Sequence, residues 1–345
     1  MDPNAYKSGL VNKLGRRELQ KKLDAETFKR ITISFYRYVR IEEPSVMRDR
    51  LFLQWTNHNC LGRIYLAKEG INAQMSVPEH NYEAFLAELY AIPEFKDVPI
   101  KVAVEDDGKS FLKLTVKVRH KIVADGLDDG AFDPGNVGNH LNAEQWNALL
   151  DADDVVVVDM RNHYESEVGH FEKAICPEAE TFREELPEVL DMLEGKEDKP
   201  IMLYCTGGIR CEKASAWLRH HGFQNVNQLH GGIIDYHRQV ASHGLRNRFR
   251  GKNFVFDERL GERISDDVIS ECHQCGATCD THVNCANCNI LFIQCPSCAE
   301  KRETCCSSEC QKALHMTDEE KKAHQITKTR HAFKRWRKGM TVDNG

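Results

Sequence analysis

Hydrophobic and polar residues alternate over residues 31–39, Ile-Thr-Ile-Ser-Phe-Tyr-Arg-Tyr-Val, and this alternation predicts a strand. Pro44 then opens a helical stretch that ends near Trp55. The turn Lys68-Glu69-Gly70 joins the next two strands as a hairpin. The elements predicted after Trp55 are, in chain order, strands at 62–67 and 71–77, a helix at 78–91, and strands at 99–104 and 111–118.

The order βαββαβ is that of the ferredoxin-like (acylphosphatase-like) α+β fold, which we predict for residues 28–125. Residues 1–27 form an N-terminal extension, and the strand at 111–118 extends the sheet towards the next domain. The fold supports many functions, RNA binding among them, so it does not by itself indicate one.

A second pattern covers residues 137–243, where strands alternate with helices. Four consecutive valines at 155–158 indicate a strand that is covered on both faces, as in a parallel sheet. The other predicted elements are helices at 141–150, 182–193 and 210–221, strands ending at 205 and 229, and a last helix after Gly231-Gly232. This alternation predicts an α/β domain with its site at the carboxyl end of a strand.

Three segments follow the α/β domain. Residues 244–270 mix basic and acidic side chains, and we interpret them as a connector whose basic half could contact a phosphate backbone. Residues 271–314 are rich in cysteine, and residues 315–345 form a polar, basic tail for which we expect disorder. Phe333 and Trp336 lie among the basic residues of that tail, a combination that fits contact with RNA and also fits a solvated tail without a partner.

The composition restricts the class of protein. With 345 residues, 41% hydrophobic and 29% charged, the chain is expected to form several soluble domains. We find no stretch of transmembrane length and no signal peptide, so we expect a cytoplasmic location and no membrane partner. Fourteen cysteines in such a chain favour metal ligation and catalysis over disulfides, and the net charge of −6 gives no global sign of nucleic-acid binding.

The most specific chemistry lies at residues 204–211, Tyr-Cys-Thr-Gly-Gly-Ile-Arg-Cys, directly after a short apolar strand. Cys205 stands at the strand end, and Thr206, Gly207, Gly208 and Ile209 form a loop of backbone N–H groups before a helix that Arg210 opens. Such an anion cradle with a helix N-terminus behind it lowers the pKa of a thiol and favours the nucleophilic thiolate. We therefore predict that Cys205 is catalytic and that Arg210 closes the loop and meets an anion.

Other candidates receive weaker roles. Cys60, Cys176 and Cys211 are interpreted as small buried hydrophobic residues. His163, His170 and His230 are interpreted as structural histidines rather than proton-transfer groups. We find no dinucleotide-binding glycine motif and no His/His/carboxylate set, so no nucleotide cofactor is indicated.

The second block resembles a rhodanese domain over its whole length. The matching motifs are Asp159-Met160-Arg161, Tyr164-Glu165, Gly169-His170-Phe171 leading to Pro177, the Cys205 loop, and Leu229-His230-Gly231-Gly232. In rhodaneses the loop spans six residues from cysteine to arginine and the thiol carries a persulfide, whereas related phosphatases have one residue more. The six residues from Cys205 to Arg210 therefore argue against a phosphatase. The resemblance also implies that Asp159 and Arg161 support the active loop, although a structural ion pair fits them equally well.

The whole chain is similar to the bacterial tRNA uridine hydroxylase (TrhO) family. The resemblance rests on residues 32–38, 67–73 and 251–259 together with the rhodanese block and the cysteine-rich segment, and it covers residues 32–310. It implies that molecular oxygen is a co-substrate, that the wobble uridine in a tRNA anticodon loop becomes 5-hydroxyuridine, and that Cys205 is the essential residue. The residues alone, a thiol and an anion cradle, would instead indicate sulfur transfer and leave open how oxygen is activated.

The cysteine-rich segment contains three Cys-x-x-Cys turns, which are typical of structural zinc sites. Ten cysteines are candidate ligands for one or two zinc ions, with a pairing that the sequence leaves open: Cys272, Cys275, Cys279, Cys285, Cys288, Cys295, Cys298, Cys305, Cys306 and Cys310. An iron–sulfur cluster is the main alternative. We expect this segment to fold around metal and to serve structure or RNA docking rather than catalysis.

Three functions are therefore compatible with the sequence. They are oxygen-dependent hydroxylation of a tRNA base, persulfide-based sulfur transfer, and a non-enzymatic adaptor that docks through its zinc segment. A deletion strain would separate the three. Loss of a hydroxylated wobble nucleoside would support the first function, loss of a thiolated one the second, and no change the third. The oligomeric state and any protein partners are left open.

Overall fold

The computed structural model describes residues 14–128 and 132–317, together with residues 10, 130, 319 and 320. Of the basic tail predicted for residues 315–345, residues 315–317, 319 and 320 are described, and the rest lies outside the described residues, as does most of residues 1–13. The elements of the N-terminal part are, in chain order, α1 (Arg16–Asp24), β1 (Arg30–Tyr38), α2 (Pro44–Asn57), β2 (Leu61–Ala67), β3 (Gly70–Pro78), a 3-10 turn (Glu79–Asn81), α3 (Tyr82–Tyr90), a second 3-10 turn (Pro93–Phe95), β4 (Lys101–Val102) and β5 (Leu114–Val118).

The N-terminal sheet has the strand order β4-β1-β3-β2-β5, and β5 pairs parallel to β2. The predicted ferredoxin-like order is thus confirmed, as is the extra strand that extends the sheet. Ile33 and Phe35 of β1 are buried in one core with Trp55 of α2 and Phe85 of α3. Because successive residues of a strand point to opposite faces, the polar residues between them lie on the face away from these helices.

Strand β4 is shorter than the predicted residues 99–104. The backbone N–H of Ala103 still donates to Thr32 of β1, but that of Val104 donates to the carboxylate of Glu262, far along the chain. The ladder therefore ends where a side chain from the C-terminal part replaces the strand partner.

The α/β part is built around a parallel sheet with the order β6-β10-β9-β7. Ile201 and Leu203 of β9 pack into one apolar cluster, and Met202 and Tyr204 pack into another on the opposite face. Both faces are covered, as the valine run predicts, and this confirms the rhodanese-type fold class. The elements are β6 (Asn139–Leu141), α4 (Ala143–Leu150), β7 (Val156–Asp159), α5 (His163–Ser166), β8 (Gly169–Phe171), α6 (Phe182–Met192), β9 (Ile201–Tyr204), α7 (Ile209–His220), β10 (Val226–Leu229) and α8 (Gly232–His243).

The segment predicted as a connector folds back onto the α/β part. Its elements and those of the cysteine-rich segment are β11 (Phe249–Asn253), β12 (Glu262–Arg263), β13 (His282–Asn284), β14 (Leu291–Ile293), α9 (Pro296–Arg302) and α10 (Ser308–Leu314). Strand β11 lies between β8 and β12 in an antiparallel sheet. Among the described residues, no helix combines the length and apolar character needed to cross a bilayer.

The basic residues of this segment are held in ion pairs. Arg248 contacts Glu172 at 2.6 Å, Arg250 lies 3.7 Å from Asp267, and Lys252 lies 2.9 Å from Asp280. Each of these three basic side chains therefore has an acidic neighbour within the fold.

Candidate active site

The Cys205 loop connects the end of β9 to the start of α7. Gly208, the residue before the helix, has φ of 97°, a left-handed conformation that suits glycine. This conformation turns the N–H of Gly208 towards the sulfur of Cys205, to which it donates at 3.1 Å. Cys205 itself is 0% exposed. The loop thus holds a buried sulfur within reach of backbone donors, the environment predicted for it.

A second glycine fixes the loop against α8. Gly232 has φ of 70°, and a Cβ there would lie 2.6 Å from the carbonyl oxygens of both Cys205 and Thr206. The absence of a side chain lets the N–H groups of Ile233 and Ile234 donate to those two oxygens at 3.1 and 3.3 Å. The close approach of α8 to the loop therefore explains why Gly232 of the Gly231-Gly232 motif has no side chain.

The loop strongly favours the thiolate of Cys205. Burial opposes ionisation, but hydrogen bonding from the Cys211 thiol, the positive charge of Arg210 and the N–H groups of Arg210 and Cys211 outweigh it, and they lower the pKa of Cys205 to about 5. Burial and the neighbouring thiolate raise the pKa of Cys211, so Cys211 remains a donor. The sequence pattern assigns Cys211 only to the core, although its place in the first turn of α7 is a usable signal.

Arg210 is committed to a partner within the domain. Its guanidinium donates to both carboxylate oxygens of Glu165, at 2.7 and 2.9 Å, and Glu165 is fully buried. The sequence places Glu165 in a matching motif but does not identify it as the partner of Arg210. A bidentate pair of this kind fixes the guanidinium and neutralises much of its charge.

Asp159 and Arg161 form a second buried pair below the loop. Arg161 contacts the two carboxylate oxygens of Asp159 at 2.8 and 2.6 Å, and both side chains are fully buried. The hydroxyl of Tyr204, the residue before Cys205, donates to Asp159 at 2.7 Å. The pair thus holds the end of β9 through Tyr204, a geometry that suits the supporting role expected for it.

The N-terminal domain covers the loop, a contact that the sequence did not predict. The hydroxyl of Tyr36 donates to Glu212 at 3.2 Å, and the hydroxyl of Tyr38 donates to the carbonyl of Ile209 at 3.2 Å. Lys213 of α7 lies 2.7 Å from Asp125 and 3.0 Å from Glu69. The polar face of the N-terminal sheet therefore closes over the loop and α7.

The three candidate histidines have local contacts. The ring of His170 lies 3.0 Å from the carbonyl oxygen of Phe171, and the ring of His230 lies 5.8 Å from that of His140. The backbone N–H of His163 donates to Ala179. These contacts fit the structural roles expected for them.

The cysteine-rich segment brings eight of its ten cysteines into two groups. The first contains Cys272, Cys275, Cys295 and Cys298, the second contains Cys285, Cys288, Cys306 and Cys310, and the sulfurs of each lie within 4.8 Å of one another. The groups are interleaved along the chain, which is why spacing alone left the pairing open. Cys279 and Cys305 belong to neither of these groups.

The sulfur spacings identify the kind of site. The sulfurs of Cys275 and Cys295 lie 3.7 Å apart, and Cys306 lies 3.6 Å from Cys288 and 3.5 Å from Cys310. A tetrahedral ion with bonds of about 2.3 Å would place its sulfur ligands about 3.8 Å apart, whereas a disulfide requires about 2.05 Å. Each group therefore fits one tetrahedral metal ion of its own.

Comparison with family models divides the chain into three matches. Residues 30–122 match the UPF0176 acylphosphatase like domain, residues 142–239 match the rhodanese-like domain, and residues 250–311 match the rhodanase C-terminal model. These matches agree with the order of the three folded parts.

Relatives cover nearly the whole chain. The chain is 58% identical over 318 residues to a protein of Leptospira interrogans serogroup Icterohaemorrhagiae serovar Lai named tRNA uridine(34) hydroxylase, covering 92% of this chain and 87% of that protein. Proteins of the same name from Pectobacterium atrosepticum and Photorhabdus laumondii are 55% and 54% identical, over 91% and 92% of this chain and 89% and 91% of their own lengths.

Proposed function

Because this chain belongs to the family of the tRNA uridine(34) hydroxylases, we propose that it is an enzyme that hydroxylates uridine 34 of tRNA with Cys205 as its nucleophile. The identity of 58% over 92% of the chain carries this assignment. The buried thiolate supplies the chemistry, since a sulfur whose pKa is lowered to about 5 is ionised at neutral pH. The substrate would be a single-stranded anticodon loop, in which the base is presented without breaking a duplex.

In this proposal the thiolate of Cys205 attacks C6 of the uracil. A sulfur–C6 bond forms, and the electron pair of the C5–C6 double bond moves onto the O4 enolate. Backbone donors of the Cys205 loop, which already serve one anion, are suited to hold another close to the sulfur. C5 is then electron-rich and reacts with the oxidant.

The oxidant that we propose is molecular oxygen. One oxygen atom enters at C5 and the other leaves as water, a balance that requires two electrons and two protons from a reductant such as a small thiol. Loss of the C5 proton then expels Cys205 and restores the double bond. The residues of this chain provide the nucleophile and the anion cradle, and Arg210 and Glu165 hold the cradle in place.

We assign one zinc ion to each of the two four-cysteine groups. Thiolate ligands at these separations suit zinc and a single ion better than a cluster of several irons. All four ligand positions of each group come from the protein, which indicates a structural role. A tRNA substrate would also agree with the cytoplasmic location expected from the sequence.

The function can be tested with purified protein and an in vitro transcribed tRNA that carries uridine at the wobble position. We expect air and a thiol reductant to yield a nucleoside heavier by one oxygen atom, detected by mass spectrometry, and oxygen gas of a heavy isotope to label it. Cys205→Ala should abolish the product, whereas Cys60→Ala, which also removes a buried free thiol, should retain it.

Two results would count against the proposal. Full activity of Cys205→Ala would remove the thiolate from the mechanism. A thiolated rather than a hydroxylated nucleoside would instead favour persulfide-based sulfur transfer, which the rhodanese-like domain also allows.

A further inference from the structure

Lys101 reaches from the N-terminal sheet to the Cys205 loop. It is only 5% exposed, and β4 pairs it with Ser34 of β1, which places it on the same sheet face as Tyr36. Its ammonium group lies 4.9 Å from the centre of the Tyr36 ring. Its Cδ lies 4.0 Å from the position that a Cβ would take at Gly207. The side chain thus extends along the mouth of the loop.

The charge of Lys101 is not neutralised by contact. Among the described residues it forms no ion pair within 4.0 Å, and the two carboxylates that influence it electrostatically have other partners. Asp235 lies 3.5 Å from Arg238, and Glu212 lies 2.9 Å from His140. A buried, unpaired ammonium group is costly, and such groups concentrate at functional sites.

The other cation of the loop, Arg210, also favours the thiolate of Cys205. Arg210 is held by Glu165 through two hydrogen bonds, so its charge is largely balanced. Burial lowers the pKa of Lys101, while the negative charges of Asp235, Cys205 and Glu212 oppose that change. The negative charge of Cys205 therefore acts on Lys101 across the domain interface.

We propose that Lys101 is a positioning residue of the active site, supplied by the N-terminal domain to hold negative charge on Cys205. The active site is then composite, and the N-terminal domain contributes to its chemistry as well as to its cover. One consequence rests on the proposed function. During hydroxylation, the positive charge of Lys101 would stabilise the negative charge as it moves from the sulfur of Cys205 to the uracil.

The proposal predicts a shift in the ionisation of Cys205. In the full-length protein, the alkylation rate of Cys205 by iodoacetamide can be followed against pH by peptide mass spectrometry. Lys101→Met should move the midpoint upward by roughly one pH unit, the scale expected for loss of a nearby opposite charge. Lys101→Arg, which keeps the charge, should restore the midpoint, and Lys113→Met, which removes an exposed lysine of the same domain, should leave it unchanged.

The pH profile of alkylation distinguishes a change in the ionisation of Cys205 from a change in its accessibility to iodoacetamide. A variant that merely loosens the domain contact would raise the plateau rate, whereas a change in ionisation moves the midpoint. Every one of these variants retains the following ionisable residues near the site: Tyr36, Glu185, Arg210, Cys211, Glu212, Asp235 and Arg238.

An unchanged midpoint in folded Lys101→Met would overturn the proposal, and Lys101→Gln provides a second neutral variant if the first does not fold. The measurement needs no tRNA, so it stands even if the hydroxylase assignment fails. Where hydroxylation is observed, its rate in Lys101→Met should fall at low pH and recover as the pH rises.

Discussion

Replacing Gly232 by alanine should damage the active loop through a steric clash that the structure defines. The new Cβ would lie 2.6 Å from two carbonyl oxygens, whereas ordinary contacts begin at 3.4 Å. The loop or α8 must therefore move by about 0.8 Å, the difference between these distances. Such a shift weakens the two hydrogen bonds from Ile233 and Ile234 that hold the loop.

The cost can be worked out from two contributions. Alanine in the left-handed conformation costs about 1–2 kcal/mol. Each of the two hydrogen bonds contributes roughly 1 kcal/mol, so the total loss is about 3–4 kcal/mol. The displaced loop should also hold the thiolate less well, which would raise the alkylation midpoint of Cys205 and slow hydroxylation at least about tenfold, the effect of about 1.4 kcal/mol.

Gly244 offers a matched control at the other end of α8. It has φ of 61°, but a Cβ there would meet nothing within 4 Å. Gly244→Ala should therefore carry only the conformational cost of about 1–2 kcal/mol and leave the chemistry of Cys205 unchanged. Thermal unfolding, Cys205 alkylation and hydroxylation would be measured for both variants. Equal losses of stability with an unchanged Cys205 midpoint in both would refute the steric reasoning.

Further predictions concern the thiolate and the metal groups. Hydroxylation should hold from pH 8 to 6 and fall near pH 5, because Cys205, with its pKa lowered to about 5, is protonated below that value; a midpoint near 9 would contradict this. The same lowered pKa stabilises the folded chain fully above the unfolded value of 9.0, and this contribution is lost as the pH falls towards 5. Cys211→Ala should raise the alkylation midpoint of Cys205 by about one to two pH units, since a hydrogen bond to a charged group contributes about 1.5–3 kcal/mol. Cys298→Ser should reduce bound zinc from two ions to one per chain by elemental analysis, whereas Cys279→Ser, outside both groups, should retain both.

The features that sequence predicts well are local ones. Eight consecutive residues, 204–211, contain the Cys205 loop together with the end of its strand and the start of its helix. The conformation of the loop therefore depends mainly on residues close to it in the sequence. The valine run at 155–158 likewise reports its own burial, because only a strand covered on both faces has no polar position. The structure of such segments depends largely on residues near them in the sequence, so the local pattern is sufficient to predict it.

The features that it misses depend on contacts between distant segments. Glu165 meets Arg210 across 45 positions, and no periodicity records which buried carboxylate will face that guanidinium. Lys101 is the first residue of the two-residue strand β4. Its place beside the Cys205 loop results from the packing of the two domains, which no local sequence pattern predicts. The cysteine groups are interleaved, so each Cys-x-x-Cys turn identifies ligands without identifying their shared ion.

Burial and ionisation of Cys205 must be explained together. Removing a thiolate from water is unfavourable, yet this sulfur is fully buried and its pKa is low. Fixed dipoles act more strongly where water is excluded, so the cover supplied by the N-terminal sheet strengthens the Gly208 donor and its neighbours. The balanced pair of Arg210 and Glu165 adds rigidity with little net charge, which leaves room for a separate cation. A domain that both excludes water and brings Lys101 to the loop meets these two requirements at once, and this is the physical reason for placing the thiol at a domain interface.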